Sequence, residues 1–531
     1  MSKKLSRILV LALALALVVG VFAGCNNNNA NNGGDQNQGN NQSQDNNQNQ
    51  DNNQGGGTVK DTLIVATENE TPSLTTVGHN AVAGDYMNKI THNSLFRFDM
   101  EMNPVPDLVE SYETPDETTW VFKLKQGVKF HNGEEMKAED VKASLELCKE
   151  SPEVRQYGQG VESVEVVDEY TVKITTPGPY ADLLGDLAHH GNAILPAKLI
   201  AEGHDFNADP IGTGPYKFVN WTLGDKIEFE AFADYFDGEP AIKYMTWRII
   251  PEASSRTIAL EADEVDVIIE IDGNDIDRLK SDSGITVMEK EGTSHNFMMI
   301  NNEIHPFNNQ DFRKAITAAT DREAIVQVAF NGFASPSFSQ LPMGFPGSSD
   351  EGGITYDPEK AKEYFAASGL NAADCGFAII CSNDVKVRAG QIVQDNLKQT
   401  LGIDVTIDQM DLATYLDKCE VGDYQAAIGG YTSNTMLAQV KGVYHSASIN
   451  ASNMTRTNLP EVDAMIDEAM ATTDPSEQAS KLQTLSKYMN ELNPLVPLYQ
   501  NMVTRAYNSN LQGFEANAGG TQYFDKVSWG N

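Results

Sequence analysis

The sequence predicts an α/β fold divided into two lobes, and three observations carry that reading. From about residue 377 the chain alternates strand, helix, strand, helix, strand, the pattern of sheet layers covered by helices. Before about residue 300 it is sheet-rich, with several runs that alternate apolar and polar residues at period two. About 470 residues follow a polar N-terminal region, which is more than one hydrophobic core usually serves.

The elements follow in order. TLIVAT at 62–67 reads as a first strand. At 120–125, WVFKLK alternates, Gly127 breaks it, 128–130 resumes an extended pattern and His131-Asn132-Gly133 turns it back. Ala138, Val141, Leu145 and Leu147 make an apolar stripe on a helix over 138–149. The runs 161–167 and 170–175 read as a hairpin, and 216–219 with 226–231 as further strands. A helix at 255–262, a strand at 265–269 and a buried strand or crossing segment at 297–300 follow. Two helices come next, the second capped by Asp321, whose carboxylate can accept from unpaired N–H groups. Asp357-Pro358 starts another helix, with proline where its missing N–H costs nothing, and Gly369 stops it. Strands at 377–380, 403–407 and 424–428 enclose helices at 386–399 and 411–418. Helices at 459–470 and 475–492 precede an extended stretch, 495–507, expected to return beside 296–301. Two such strands linking two lobes would form a hinge with a solute cleft between the lobes.

The N-terminus has its own logic. A basic head (Lys3, Lys4, Arg7), the apolar run ILVLALALALVV at 8–19 and small residues before Cys25 make an export signal. The run is short of the roughly 20 residues of a membrane span. Ala23-Gly24-Cys25 resembles the end of a bacterial lipobox, with Phe22 where leucine is usual. Residues 1–24 are therefore expected to be a signal peptide and Cys25 the lipidation site; plain secretion with Cys25 unmodified is the alternative. Residues 26–58, almost wholly Asn, Gln, Gly and Asp, cannot bury enough apolar surface to offset their ordering entropy. They form a tether with an end-to-end distance of about 30 Å.

The chain carries 38 basic and 75 acidic residues, a formal net charge of -37. That balance argues against nucleic acid or an anionic membrane surface as partners. Beyond Cys25 the cysteines are Cys148, Cys375, Cys381 and Cys419, spaced like no zinc knuckle or redox pair. In an extended strand Cys375 and Cys381 would stand about 20 Å apart, too far to bridge. Pairing of either with Cys419, and four free buried thiols, both stay open. No GxSxG, HExxH, Walker or dinucleotide motif is present, so neither an enzyme nor a cofactor is expected. His189-His190, the one adjacent histidine pair, lacks a third ligand at fixed spacing, and no metal is assigned.

The segment FKLKQGVKFHNGEEMKAEDV at 122–141 resembles the signature of the family 5 extracellular solute-binding proteins, which serve peptide, nickel and related ABC importers. PIGTGPY at 210–216, YFDG at 235–238, and DFRKAI with DREAI at 311–325 are similar to further family segments in the same order. LEADEVD at 260–266 is similar too, with Asp263 in a glycine place. The resemblance covers nearly all of 59–531. It implies a two-lobed periplasmic-binding-protein fold, type II and cluster C-like, with an extra sheet-rich subdomain in the first lobe. The boundaries expected are lobe I at 59–297, with the subdomain at about 97–208, lobe II at 298–499, and a return to lobe I at 500–531.

The resemblance also directs the search for a site. In the peptide-binding branch an aspartate after a glycine/aromatic loop commonly holds the peptide's amino terminus; the similar stretch here, IGGYTSNTM at 428–436, carries Asn434 instead. Gly429, Gly430, Tyr431 and Asn434 are the pocket candidates from the second lobe. Glu70, Thr71 and Ser73 resemble the loop after the first strand that borders the cleft, with His79 and Asn80 just beyond. Trp221 is a candidate to stack on a solute, or to pack within its lobe. Together these readings predict a monomeric, lipid-anchored receptor on the outer face of the bacterial cytoplasmic membrane. It would bind a small solute, oligopeptide first, and deliver it to ABC permease subunits. Nickel, a sugar or another small polar solute is the alternative, and a surface adhesion protein the alternative of a different class.

Overall fold

The computed structural model describes residues 60–530. The expected signal segment, Cys25 and the polar tether lie outside the described residues. The predicted two-lobed α/β fold is present, and its organiser is a pair of long antiparallel strands, Ile285–Ile300 and Val496–Asn508. They run together from Ile285 opposite Asn508 to Met298 opposite Val496. One end of the pair belongs to a first-lobe sheet and the other to a second-lobe sheet.

In the first lobe, Val267–Ile269 pairs with the return strand, Val267 opposite Tyr507. Beyond it lie Thr62–Thr67 and Tyr244–Ile249, parallel to each other with Thr62 beside Tyr244, and then the hairpin of Tyr216–Thr222 and Lys226–Ala231. In the second lobe, Ala426–Tyr431 pairs antiparallel with Ile285–Ile300, placing Tyr431 opposite His295. Phe377–Cys381 and Val405–Gln409 extend that sheet in parallel. Phe377–Cys381 is apolar throughout because helices cover both faces of a parallel sheet. Ala389, Val393 and Leu397 of helix Asp384–Leu401 repeat at the helical period and are buried beside it.

The extra subdomain is a separate four-stranded sheet. Val109–Asp116, Thr119–Leu124, Thr171–Thr175 and Ser163–Asp168 lie in that order, with helix Ala138–Glu150 against it. Trp120 and Phe122, on the inward face set by the alternation, are 1% and 0% exposed. Residues 128–130 are extended and turned back as expected: Lys129 bridges antiparallel to Glu135, with Met136 N–H donating to Val128 O and Phe130 N–H to Glu134 O. Gly133 in that turn has φ of 88°, a conformation side chains disfavour.

Caps read from sequence hold: Asp321 accepts from Ala324 N–H and Asp357 from Lys360 N–H, while Gly369 is left-handed. A capping device not visible in sequence is Arg313. Its guanidinium donates to Phe307 O and to Leu492 O and Asn493 O at the end of helix Pro475–Leu492, and burial lowers its pKa to about 10. Cys148, Cys375, Cys381 and Cys419 are free, buried thiols.

Candidate functional site

Where the hinge strands pass between the lobes, their register shifts between Glu291 and His295. Gly292 sits at this bulge because a Cβ there would lie 2.6 Å from Asn501 O. Gln500 Nε2 donates to Gly292 O at 2.6 Å and pins the bulge. Thr293, on the bulge, opens onto a cavity of about 870 Å³ between the lobes.

One wall comes from helix Val82–Thr91 and from the subdomain's return segment. Asp85 and Lys89 are one helical turn apart on that helix. Asp85 Oδ1 lies 3.0 Å from His190 Nδ1, and His190 Nε2 donates to His79 O at 3.2 Å. Burial acts to raise the Asp85 carboxyl, but the His190 hydrogen bond and the Lys89 ammonium outweigh it and hold it well below the usual carboxylate range. His79 stacks on His190 at 4.7 Å, and burial, with the adjacent His190, lowers its pKa to about 4. His189 lies 4.1 Å from His190 and stacks on Tyr157 at 3.5 Å, and burial keeps it neutral. The adjacent histidines thus form an aromatic stack. Among the described residues no group of three or more His, Cys, Asp or Glu is placed to hold a metal ion.

Nearer the mouth, Tyr180, Asp182 and Asp186 flank the short helix Leu183–Asp186. Tyr180 O–H donates to Asp186 Oδ2 at 2.9 Å. Burial raises Asp182 to about 6; burial and the neighbouring Asp182 charge raise Asp186 well above its ordinary value. The opposite wall is second-lobe. Tyr431 to Thr435 leave the sheet there, Thr435 caps helix Met436–Tyr444 by accepting from Ala438 N–H at 3.1 Å, and Lys441 follows on that helix.

The two walls touch. Ala181 N–H donates to Met470 O at 2.7 Å, Asp182 is hydrogen-bonded to Thr435, and Lys441 Nζ lies 5.6 Å from the Tyr180 ring centroid. Apolar packing continues from Leu183 and Leu187 into Met436, Leu437 and Val440. The lobes are thus in contact across the cleft, and the cavity between them keeps a mouth to solvent.

Of the candidates read from sequence, Asn80, Tyr431 and Asn434 line this cavity. The others stand away from its wall. Glu70 accepts from Trp221 Nε1 at 2.7 Å and from Gly224 N–H at 2.8 Å, so these two residues bind each other. Thr71 donates to Ser73 O and Ser73 to Asn207 Oδ1, which shapes their loop. His79 is 3% exposed behind His190. Gly429 and Gly430 answer to crowding: a Cβ would lie 2.5 Å from Met299 Cε and Tyr415 Oη at the first, and 2.5 Å from Asn296 Oδ1 at the second. The wall made by Tyr157, Tyr180, Asp182 and Asp186 was not anticipated. Its one sequence signal was a cluster of aromatic and acidic residues beside the paired histidines.

Comparison with known proteins defines the class. Residues 103–450 match the bacterial extracellular solute-binding proteins, family 5 (middle region), and the chain belongs to that family. It is the solute-binding component of an ABC importer, and it acts outside the cytoplasm. Among its relatives is the glutathione-binding protein GsiB of Shigella dysenteriae, 26% identical over 471 residues, 86% of this chain and 92% of GsiB. The structure of HbpA2 from Haemophilus parasuis is similar with a TM-score of 0.81 and 25% identity, over 88% of this chain and all of that one. The oligopeptide-binding protein AppA from Bacillus subtilis, solved with a nonapeptide, shares the fold at a TM-score of 0.68 and 23% identity, covering 89% of this chain and 100% of AppA.

Proposed function

We propose that this chain is a lipid-anchored receptor that encloses a short peptide between its lobes and presents it to an ABC permease. The observation that carries the reading is the cavity of about 870 Å³ between touching lobes, with polar groups on both walls. That volume is near the upper end of small-molecule sites, about 300–1,000 Å³, and far exceeds the needs of a bare ion. An extended peptide offers backbone donors and acceptors on two sides, and a cleft with two polar walls satisfies both only when closed. The glutathione-binding relatives are in keeping with this, glutathione being a tripeptide. Lobe I is assigned to 59–297 and 500–531, lobe II to 298–499, and Cys25 is assigned as the lipidated residue after cleavage of 1–24.

Two experiments bear on the reading. Tyr431→Ala removes a half-buried ring from the cavity wall. It is expected to weaken binding of a short-peptide mixture by about tenfold or more in calorimetry, the cost of one buried aromatic contact. Unchanged affinity with a large fall in thermal midpoint would make the ring structural. Cys25→Ser is expected to move the protein from the membrane fraction to the medium and to abolish labelling by radioactive palmitate. Retention with label intact would refute the anchor.

A further inference from the structure

The cavity's cations are shared unevenly among its carboxyls. Asp85 is matched by His190 and Lys89, and the Lys89 ammonium donates to Ala188 O at 2.7 Å. Asp182 and Asp186, by contrast, share one lysine, Lys441, which lies over the Tyr180 ring. Asp186 uses Oδ2 to accept from Tyr180, and its Oδ1 has no protein donor among the described residues. With one ammonium serving both, burial and the Asp182 charge favour the protonated form of Asp186, and a second cation seated here would let both carboxyls ionise.

A second observation comes from the neighbouring imidazole. His189 is 7% exposed and lines the cavity. Its Nδ1 accepts from Gly191 N–H at 3.0 Å, which puts the ring proton on Nε2. That Nε2–H has no protein acceptor among the described residues. Facing the cavity, that N–H is free to donate to a bound molecule. This wall therefore offers carboxyl oxygens for a cationic group and, three residues on from Asp186, an N–H for an acceptor.

Building on the receptor reading above, we propose that the solute carries an ammonium or guanidinium group that seats against Asp182 and Asp186 beside Tyr180. Asp186 is the residue that selects for that charge, and His189 donates to a carbonyl or carboxylate of the same solute. The amino end of a peptide and a basic side chain share this chemistry.

Calorimetry on the mature protein, stripped of retained solute, separates the cases. The probes are trialanine, N-acetyl-trialanine and N-acetyl-Ala-Lys-Ala, with N-acetyl-L-argininamide against the uncharged N-acetyl-L-citrullinamide as a pair that is not a peptide chain. Wild type is expected to prefer each cationic probe over its neutral counterpart by about tenfold or more, the range of a hydrogen bond to a charged group. In Asp186→Asn, which keeps shape and removes charge, that preference is expected to collapse to near unity. Asp182→Asn serves as a second variant, and thermal midpoints check folding of both. Preference for trialanine over its acetylated form assigns the amino end; recovery with N-acetyl-Ala-Lys-Ala assigns a side chain. Either supports the proposal. A wild-type preference that survives in both variants overturns it, as does equal binding, or none, of cationic and neutral probes to wild type. If no peptide binds but N-acetyl-L-argininamide is preferred over N-acetyl-L-citrullinamide and Asp186→Asn removes the preference, the peptide reading falls and the cation site stands.

Discussion

Gly185→Val is expected to lower solute affinity by more than about 100-fold, because it props the lobes apart. Gly185 lies in the short helix Leu183–Asp186 on the subdomain side of the cleft. A Cβ there would lie 2.5 Å from Thr435 Cγ2 across the cleft and 3.0 Å from Asp182 Oδ1. Thr435 cannot easily retreat, since its hydroxyl caps helix Met436–Tyr444. The two methyl groups of valine add further bulk in the same gap. Within its own lobe the substitution is mild, because valine is no worse than glycine in a helix. The solute gains both sets of contacts only in the closed form, so excluding that form divides the apparent affinity by the lost population. Calorimetry with a binding peptide measures the loss, and the solute-free thermal midpoint is expected to stay within about 3 °C of wild type, since within its own lobe the new side chain approaches only Asp182. Wild-type affinity in this variant would mean that closure does not govern binding.

The second large effect is acid lability. Burial lowers His79 and His131 to about 4 and His92 and His295 to about 3, and holds His189 well below its ordinary value. In the unfolded chain these imidazoles take up protons near pH 6.5. Between that value and about 4 the unfolded state therefore binds more protons than the folded one. Stability is full above pH 6.5 and falls as pH drops through this window. Each unit of displacement is worth about 1.4 kcal/mol per group, so the combined loss is on the order of several kcal/mol. Asp182, raised to about 6, and Asp186 act in the opposite sense. They bind protons more readily folded than unfolded and return part of the loss below pH 6. Five histidines against two carboxyls leave a net loss. The solute-free midpoint should drop by about 5 °C or more between pH 7 and pH 4.5, at about 1 °C per kcal/mol for a chain of about 470 ordered residues. A midpoint flat across that range would show that these rings are not held neutral.

Local signals in the sequence served well, and signals created by tertiary packing did not. Asp321, Asp357 and Gly369 mark helix ends by chemistry within one turn, and each does so in the structure. The strand alternation at 62–67, 163–168 and 226–231 is also local. By contrast, only the last third of Ile285–Ile300 was legible. Its earlier part carries Glu289, Lys290, Glu291 and Gly292, because a hinge strand is half-exposed and bulged rather than buried. Helix Met436–Tyr444 hid behind the reading of 428–436 as a pocket loop, since Thr435 both ends the loop and caps the helix. Tyr431 and Asn434 came from family resemblance. The facing wall could not, because Tyr157, Tyr180 and Asp186 meet only after the subdomain folds against helix Val82–Thr91. Glu70 and Trp221, separated by 151 positions, satisfy each other, which no local pattern could reveal.

Native mass spectrometry of the freshly purified mature protein asks whether a solute sits between the lobes. A population heavier than the bare lipidated chain by the mass of a short peptide is predicted, with a cationic molecule released on denaturation and the adduct absent from Gly185→Val. A folded protein that retains no such molecule, and gains no mass after exposure to a mixture of short peptides, would contradict a peptide receptor that closes on its ligand.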